Sequence, residues 1–257
     1  MEHLAFGPIP YFEGLQNRFL FGRISAQLIT RFAIAKELGT NIIIVTANHR
    51  PASKLSTEFI RNDLAFLADF AFRYKPPLFV AYSFTCYSTI VNKWWKAWEL
   101  VESVDRFNFG LCLNVFHIAS SWTYETELDQ VNCIERLTST VQRSKVFRMQ
   151  VSSAVPPVLP LSADHPWYHP RETAFESWSR NGKIFLFETT PSYTSNAMEE
   201  LAQSIIVGLG YIGCVTLETS TTTDDMGEDV PADRAKRGKI AWKKFQLMLH
   251  EANYAPF

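Results

Sequence analysis

Short apolar runs rich in β-branched and aromatic residues alternate along the chain with longer stretches whose apolar residues recur at helical spacing. The short runs predict strands at 4–9, 41–47, 77–83, 109–116, 146–151 and 214–218. The longer stretches predict helices at 15–38, 56–74, 93–103, 127–142, 196–207 and 232–251. Strands that alternate with helices are typical of a parallel sheet built from βα units, so the pattern predicts an α/β fold.

Two predicted helix boundaries carry local signals. Gly39 follows the first helix, and glycine tolerates the positive φ angle that commonly ends a helix. Ser56 precedes the second helix, where a serine hydroxyl can accept a hydrogen bond from a free backbone N–H group. We therefore expect one helix to end at Gly39 and another to begin after Ser56.

Residues 154–192 interrupt this alternation with a proline-rich, polar and aromatic segment. The segment is too long for an ordinary connection, which predicts a structured excursion over a functional site. No flexible linker separates blocks of different composition elsewhere in the sequence. We therefore predict a single domain, 1–257, that carries a long loop excursion at 154–192.

Composition excludes several classes of function. The 25 Lys and Arg residues nearly balance the 26 Asp and Glu residues, so the basic surplus typical of nucleic-acid-binding proteins is missing. The sequence has no apolar run long enough to span a membrane, and its first residues do not resemble a secretory signal. Both observations predict a cytoplasmic protein without a membrane partner. The four cysteines are widely spaced, as expected of small buried side chains.

The end of the fourth predicted strand raises the question of a metal site. The apolar run 109–113 ends in Asn114, and His117 follows three positions later. Why a buried strand should end in an amide here is an open question. Its answer decides whether the chain is a metal enzyme, a metal-free enzyme or neither.

Several segments resemble the fungal 3-dehydroshikimate dehydratases, which belong to the xylose isomerase-like superfamily of TIM-type (β/α) barrels. The specific segments are AWELVESVDRFNFGLCLNVFHIAS at 97–120 and WSRNGKIFLFE at 178–188. Weaker ones are YFEGL at 11–15, AKELGTNII at 35–43, GLGYIGCVTLE at 208–218 and VPADRAKRGKIAW at 230–242. The resemblance covers almost the whole chain and implies a barrel whose functional residues lie at the carboxyl ends of its strands.

Register within the family implies that the predicted strands are the third to the eighth, so that the chain lacks the first two βα units. An open six-stranded sheet would expose the unpaired edges of the strands near Leu4 and Cys214. We therefore expect a homodimer or another homo-oligomer to cover these edges, the alternative being an incomplete gene model.

The resemblance also implies a degenerate metal site. Family members hold a divalent Mg, Mn or Co ion with glutamate, aspartate, glutamine and glutamate at the ends of their last four strands. The corresponding residues here are Ser83, Asn114, Gln150 and Glu218, which keep one of three carboxylates. Because hard cations bind through charged oxygen ligands, we expect no metal cofactor. The alternative is a weakened divalent-metal site that also uses His117.

The remaining candidates follow from the same register. The predicted acid/base pair is Glu218 and His117, since the usual pKa of histidine lies near neutrality. The predicted substrate-binding residues are Gln150, Asn114, Arg180, Lys183, Ser83 and Tyr87. For His117, a structural role bonded to backbone is an equal alternative. For Glu218, the alternative is a simple ion pair with Arg180 or Lys183.

Two interpretations of the function follow. The first is a divergent dehydratase-like enzyme, metal-independent, that performs isomerisation, elimination or cyclisation on a small carbonyl compound through proton transfer. The neutral amides of Gln150 and Asn114 would then donate hydrogen bonds to a developing oxyanion. The second is a non-catalytic remnant that binds a small acid or a protein. A metal-dependent 3-dehydroshikimate dehydratase is the third possibility.

Overall fold

A computed structural model describes residues 5–122, 127–156, 161–188, 193–220 and 230–252. Its strands are β1 Phe6–Ile9, β2 Ile42–Thr46, β3 Phe79–Ser83, β4 Phe109–Asn114, β5 Val146–Val151, β6 Ser153–Ala154, β7 Lys183–Ile184 and β8 Val215–Leu217. Its helices are α1 Arg18–Ala26, α2 Leu28–Glu37, α3 Thr57–Phe72, α4 Trp94–Val104, α5 Val115–Ser120, α6 Glu127–Thr140, α7 Ala174–Asn181, α8 Tyr193–Gln203 and α9 Val230–Glu251. Short 3-10 turns lie at Ala52–Lys54 and Arg143–Lys145, and a π-helical turn at Ser204–Gly208 follows α8.

The chain folds into two compact units. The first comprises Met1–Leu113 and Val141–Arg148, and the second comprises Asn114–Thr140 and Met149–Phe257. The prediction of a single domain stays a prediction, and each unit is described by itself.

The first unit contains four parallel strands in chain order. Strand β2 pairs with β1 on one side and with β3 on the other, in register from Ile42 opposite Phe79 to Thr46 opposite Ser83, and β4 pairs with β3. All residues of β4 are buried. At Gly110 a Cβ atom would lie 2.3 Å from the backbone oxygen of Lys145, so the close approach of these backbones requires glycine. The parallel βα order confirms the α/β prediction.

The second unit contains two short strand pairs. The end of β5 pairs in parallel with β8, with Met149 opposite Val215 and Val151 opposite Leu217. The two-residue strands β6 and β7 pair in antiparallel fashion, with Ser153 opposite Ile184. The β6–β7 pair was not predicted because two-residue strands leave no periodicity in a sequence. It brings Lys183 back beside the end of β5.

One predicted helix is interrupted. The pattern at 15–38 predicts a single helix, whereas the structure has α1 and α2 separated at Gln27. The backbone N–H of Gln27 donates to the carbonyl oxygens of Ile24 and Ser25, which tightens the chain into a turn at the junction. The predicted end is confirmed, since Gly39 has a φ angle of 71° after α2.

The fourth strand is shorter than predicted. The apolar pattern extends the strand to 116, but the structure ends β4 at Asn114 and begins α5 at Val115. The side chain of Asn114 accepts a hydrogen bond from the backbone N–H of His117, which is an N-cap interaction. A polar cap therefore overrides the β preference of the residues that follow.

The excursion predicted at 154–192 contains a helix. The WSRN segment, interpreted as a loop, lies in α7, whose first turn is capped by Thr173 accepting from the backbone N–H of Glu176 at 3.1 Å. Trp178 is buried and donates through its indole N–H to the carbonyl of Val155 at 2.8 Å. Residues 157–160 and 189–192 of the excursion lie outside the described residues.

Two composition-based expectations can be compared with the structure. No helix within the described ranges is at once long enough and apolar enough to cross a membrane. Of the cysteines, Cys112 is buried as expected, whereas Cys214 is exposed. The predicted oligomer over the sheet edges stays a prediction.

The predicted N-cap of the second helix provides a test of the local sequence signals. Ser56 Oγ accepts from the backbone N–H of Phe59 at 3.4 Å, so a Ser56→Ala substitution removes this cap. We expect the free energy of unfolding to fall by about 1 kcal/mol. Urea denaturation measures the change. Ser103→Ala serves as a control because Ser103 lies within α4 and does not cap the start of a helix. An equal loss in both variants would contradict the capping role.

Candidate functional site

The amide of Asn114 lies at the centre of a polar cluster in the second unit. Its Nδ2 donates to Glu218 Oε2 at 2.9 Å and to Gln150 Oε1 at 3.2 Å. Its Oδ1 accepts from the backbone N–H of His117 at 3.3 Å. The side chain is buried, and the cap on α5 fixes which end of the amide faces the cluster. Asn114 therefore presents N–H groups, not oxygen lone pairs, to Glu218 and Gln150.

Glu218 follows β8 and is held in place through its backbone, whose N–H donates to the carbonyl of Val151 at 2.9 Å. Its Oε2 accepts from both Asn114 and Lys183, the latter at 3.0 Å. Within the described part of the chain Oε1 has no hydrogen-bond partner, and the side chain is 22% exposed. One carboxylate oxygen is thus fixed and the other is available to a ligand.

Lys183 supplies the positive charge of the cluster. Lys183 lies in β7, and its backbone makes two hydrogen bonds with Ser220. Its N–H donates to the Ser220 hydroxyl at 2.8 Å, and its carbonyl accepts from the Ser220 N–H at 2.9 Å. Its Nζ lies 5.1 Å from the centre of the Phe116 ring. The side chain is only 12% exposed, so the ammonium group is held next to Glu218 in a poorly solvated position. Of the two ion pairs that the sequence left open for Glu218, the structure contains the one with Lys183.

His117 lies on α5 and is almost completely buried. Burial, together with the positive charge of Lys183, holds the pKa of the imidazole well below its usual range. The ring is therefore neutral at neutral pH, in contrast to the sequence-based expectation of a histidine that titrates near pH 7.

The other predicted substrate-binding residues are Arg180 in the second unit and Ser83 and Tyr87 in the first. Arg180 is 62% exposed, and its guanidinium lies 2.8 Å from Glu172 on the outer side of α7. Ser83 and Tyr87 belong to the first unit. Ser83 is buried at the end of β3, where its carbonyl accepts from the N–H of Ala47. The Tyr87 ring packs edge-on against the ring of His49, with the two ring centres 5.4 Å apart.

The sequence analysis did not single out Glu13, a buried carboxyl group in the first unit. Its Oε1 accepts from the backbone N–H of Asn48 at 2.7 Å and from the Tyr82 hydroxyl at 3.1 Å. Its Oε2 is buried with no partner among the described residues. Burial raises the pKa of Glu13 to about 7. The available signal was the position of a glutamate between Phe12 and Gly14 in the YFEGL segment.

No family profile matches the chain. Over 258 residues, which cover 95% of this chain and 71% of the relative, the chain is 35% identical to the 3-dehydroshikimate dehydratase of Neurospora crassa. The chain belongs to the 3-dehydroshikimate dehydratase family. Membership confirms the predicted family and its assignment to an enzyme class of lyases and isomerases.

Solved structures show the fold of this member of the 3-dehydroshikimate dehydratase family. A xylose isomerase-like TIM barrel/4-hydroxyphenylpyruvate dioxygenase fusion protein matches 97% of the chain with a TM-score of 0.70 and 21% identity, and the chain spans 35% of that protein. The IolI protein, solved with a bound zinc atom, matches 96% with a TM-score of 0.67 and 16% identity, and the chain spans 76% of it. The predicted xylose isomerase-like TIM-barrel class is confirmed.

Proposed function

We propose that the chain is a dehydratase-like enzyme that transfers protons on a small carbonyl compound without a divalent metal, with 3-dehydroshikimate as the first candidate substrate. One observation carries the proposal: Lys183 Nζ and Asn114 Nδ2 both donate to the same oxygen of Glu218, at 3.0 and 2.9 Å. The cluster thus holds a positive charge against Glu218, the one ligand carboxylate that family register retains. The family membership supports the dehydratase-like chemistry.

The donor set around Glu218 does not fit a hard divalent cation. Such ions bind through oxygen ligands, and charged oxygen ligands hold them most tightly. In the second unit the corresponding residues offer one carboxylate and two amides, and the N–H groups of Asn114 occupy lone pairs of Glu218 and Gln150. Among the described residues no three His, Cys, Asp or Glu side chains come together in a possible metal site. On the chemistry of this donor set, with amide N–H groups facing Glu218 and Gln150, we propose a reaction without a metal step.

The same cluster can remove a proton from a carbon acidified by a carbonyl group. Glu218 Oε1 has no partner among the described residues and can accept this proton. The ammonium of Lys183 and the amide of Asn114 lie within hydrogen-bond distance of Glu218 Oε2, so they can also stabilise the enolate oxygen that forms. The hydroxyl group on the next carbon then leaves, takes the proton from Glu218 and departs as water. His117 contributes through its backbone, whose N–H donates to Asn114 Oδ1 at 3.3 Å and holds the amide in place.

Metal removal tests the proposal directly. We expect the purified protein to convert 3-dehydroshikimate into protocatechuate at a rate that neither EDTA nor added manganese changes. The ultraviolet absorbance of protocatechuate measures this rate. Loss of activity with EDTA and its recovery with manganese would contradict the metal-free mechanism. Binding of 3-dehydroshikimate in calorimetry without any turnover would instead favour the non-catalytic remnant.

Restoring the family carboxylate should create a metal site. In an Asn114→Asp variant the N–H groups that donate to Glu218 and Gln150 are replaced by carboxylate oxygens, so two charged ligands face each other. We expect manganese affinity to rise by at least about tenfold, because affinity follows ligand charge. Calorimetric titration with manganese measures it, and Asn181→Asp adds the same charge outside the cluster as a control. Equal affinities of the two variants would argue against the family register at Asn114.

A further inference from the structure

A group of aromatic and basic side chains gathers in the first unit near the carboxyl ends of β2 and β3. We call it the Arg50 cluster, which consists of Tyr11, His49, Arg50 and Tyr87. The Tyr11 hydroxyl is hydrogen-bonded to His49 Nε2 at 2.5 Å, and their ring centres lie 4.4 Å apart. The guanidinium of Arg50 lies over the Tyr11 ring at 5.0 Å. All four side chains are half-buried, so the cluster is open to a small ligand.

Arg50 has no anionic partner among the residues that the structure describes. Its backbone is fixed, since its N–H donates to Asn48 Oδ1 at 3.1 Å and its carbonyl accepts from Thr89 Oγ1 at 2.8 Å. None of its five guanidinium N–H donors has an acceptor among the described residues, and its Nε is buried. Buried donors in proteins are rarely left without a partner, and a guanidinium is well matched to a carboxylate through paired hydrogen bonds.

The backbone beneath the cluster is strained. Tyr11 has a φ angle of 57°, in the left-handed region that a bulky side chain rarely adopts. Such outliers persist where the surrounding structure holds them, and they are concentrated at functional sites. Here the unusual angle accompanies a ring that lies under Arg50 and a hydroxyl bonded to His49.

Glu13, the acidic group that Asn48 links to Arg50, does not compensate the charge of Arg50. Asn48 connects the two residues, because its Oδ1 accepts from Arg50 N–H and its own N–H donates to Glu13 Oε1 at 2.7 Å. Burial raises the pKa of Glu13 to about 7, so this carboxyl is largely protonated in mildly acidic solution. The positive charge of Arg50 therefore remains available to an anion from solution.

We propose that the Arg50 cluster binds the carboxylate of a small, flat organic acid, with Arg50 as the anion-binding residue and the rings of Tyr11, His49 and Tyr87 in contact with its planar body. A single guanidinium matches a singly charged carboxylate, and the surrounding aromatic rings favour a flat apolar body over a bare inorganic anion. The site involves residues of the first unit alone. It therefore stands or falls independently of the activity proposed for Glu218.

Calorimetric titration with benzoate tests the proposal. We expect benzoate to bind the unmodified protein, benzamide not to bind because it has no charge, and inorganic phosphate to bind at least tenfold more weakly. Arg50→Gln should weaken benzoate binding at least tenfold, and Arg50→Lys should weaken it less because the charge remains without the paired geometry. Arg23→Gln, an exposed arginine of α1, should leave binding unchanged.

Each of three results with benzoate would overturn the proposal at the Arg50 cluster itself: no binding to the unmodified protein, phosphate binding as tight as benzoate binding, or unchanged benzoate binding in Arg50→Gln and Arg50→Lys. A fourth concerns the cluster around Glu218. If thermal unfolding shows that Arg50→Gln does not fold, benzoate binding is compared between Arg50→Lys and the unmodified protein instead. Lys183→Met and Glu218→Gln should both retain benzoate binding. Its loss in Lys183→Met alone would assign the acid to the cluster around Glu218 and refute a site at Arg50.

Discussion

Glu218→Gln is expected to lower kcat for 3-dehydroshikimate by about 100- to 10 000-fold, the range typical of a lost general acid or base. Glutamine keeps an oxygen that can accept from Lys183 and Asn114, which now donate to Glu218 Oε2 at 3.0 and 2.9 Å. The geometry of the cluster should therefore survive while the proton acceptor is lost. Steady-state kinetics measure the effect, and we expect KM to change much less than kcat.

A matched control separates chemistry from stability. Glu251→Gln makes the same substitution at an exposed position near the end of α9 and should leave kcat unchanged. Glu218→Asp retains the carboxylate and should recover part of the lost rate. If Glu218→Gln lowers the melting temperature but not kcat, Glu218 is a structural partner of Lys183 and the proposed mechanism is wrong.

The strands were the most predictable part of the fold. The β-branched run 41–47 contains β2, and the predicted strand 146–151 has the same bounds as β5. These runs are apolar because the strands are covered by the core, so burial is visible in composition. The errors fall where a single polar contact decides the structure. Asn114 ends β4 by capping α5, although Val115 and Phe116 are strong strand formers.

The cluster around Glu218 was predictable in part of its membership but not in its pairing. Family register selected Asn114, Gln150, Glu218 and Lys183, and the structure joins these four residues by hydrogen bonds. Arg180 was an equal partner for Glu218 in the sequence, since it lies only three positions from Lys183. The helix α7 points Arg180 toward Glu172 instead, at 2.8 Å. Such a choice depends on the three-dimensional path of the chain and leaves no mark on composition or spacing.

The buried carboxyl group of Glu13 was missed for a related reason. Glutamate is mostly an exposed residue, so an isolated glutamate in a sequence favours a surface position. In the structure Glu13 is 1% exposed, and its neutral form is favoured by burial. The consequence is a pH dependence of stability that the sequence alone does not suggest.

We expect Glu13→Gln to remove a loss of stability that the unmodified protein shows as pH rises from about 4.5 to about 7. In this interval the unfolded chain releases the proton of Glu13 while the folded chain retains it, because the pKa is about 7 when folded and 4.5 in the reference state. Stability falls with pH wherever the folded state binds more protons. A difference of this size corresponds to a loss of about 3 kcal/mol, complete above neutral pH.

Urea unfolding of both proteins between pH 5 and pH 8 measures this effect. Buried His117 acts in the opposite direction, since its lowered pKa makes stability rise with pH through its usual range, but it contributes equally to both proteins. The difference between the two curves therefore isolates Glu13. The stability of Glu13→Gln relative to the unmodified protein should increase up to about pH 7 and then remain constant. Glu58→Gln, at an exposed position of α3, should show the same pH dependence as the unmodified protein. Parallel curves for the unmodified protein and Glu13→Gln would show that Glu13 is ionised in the folded state well below neutral pH.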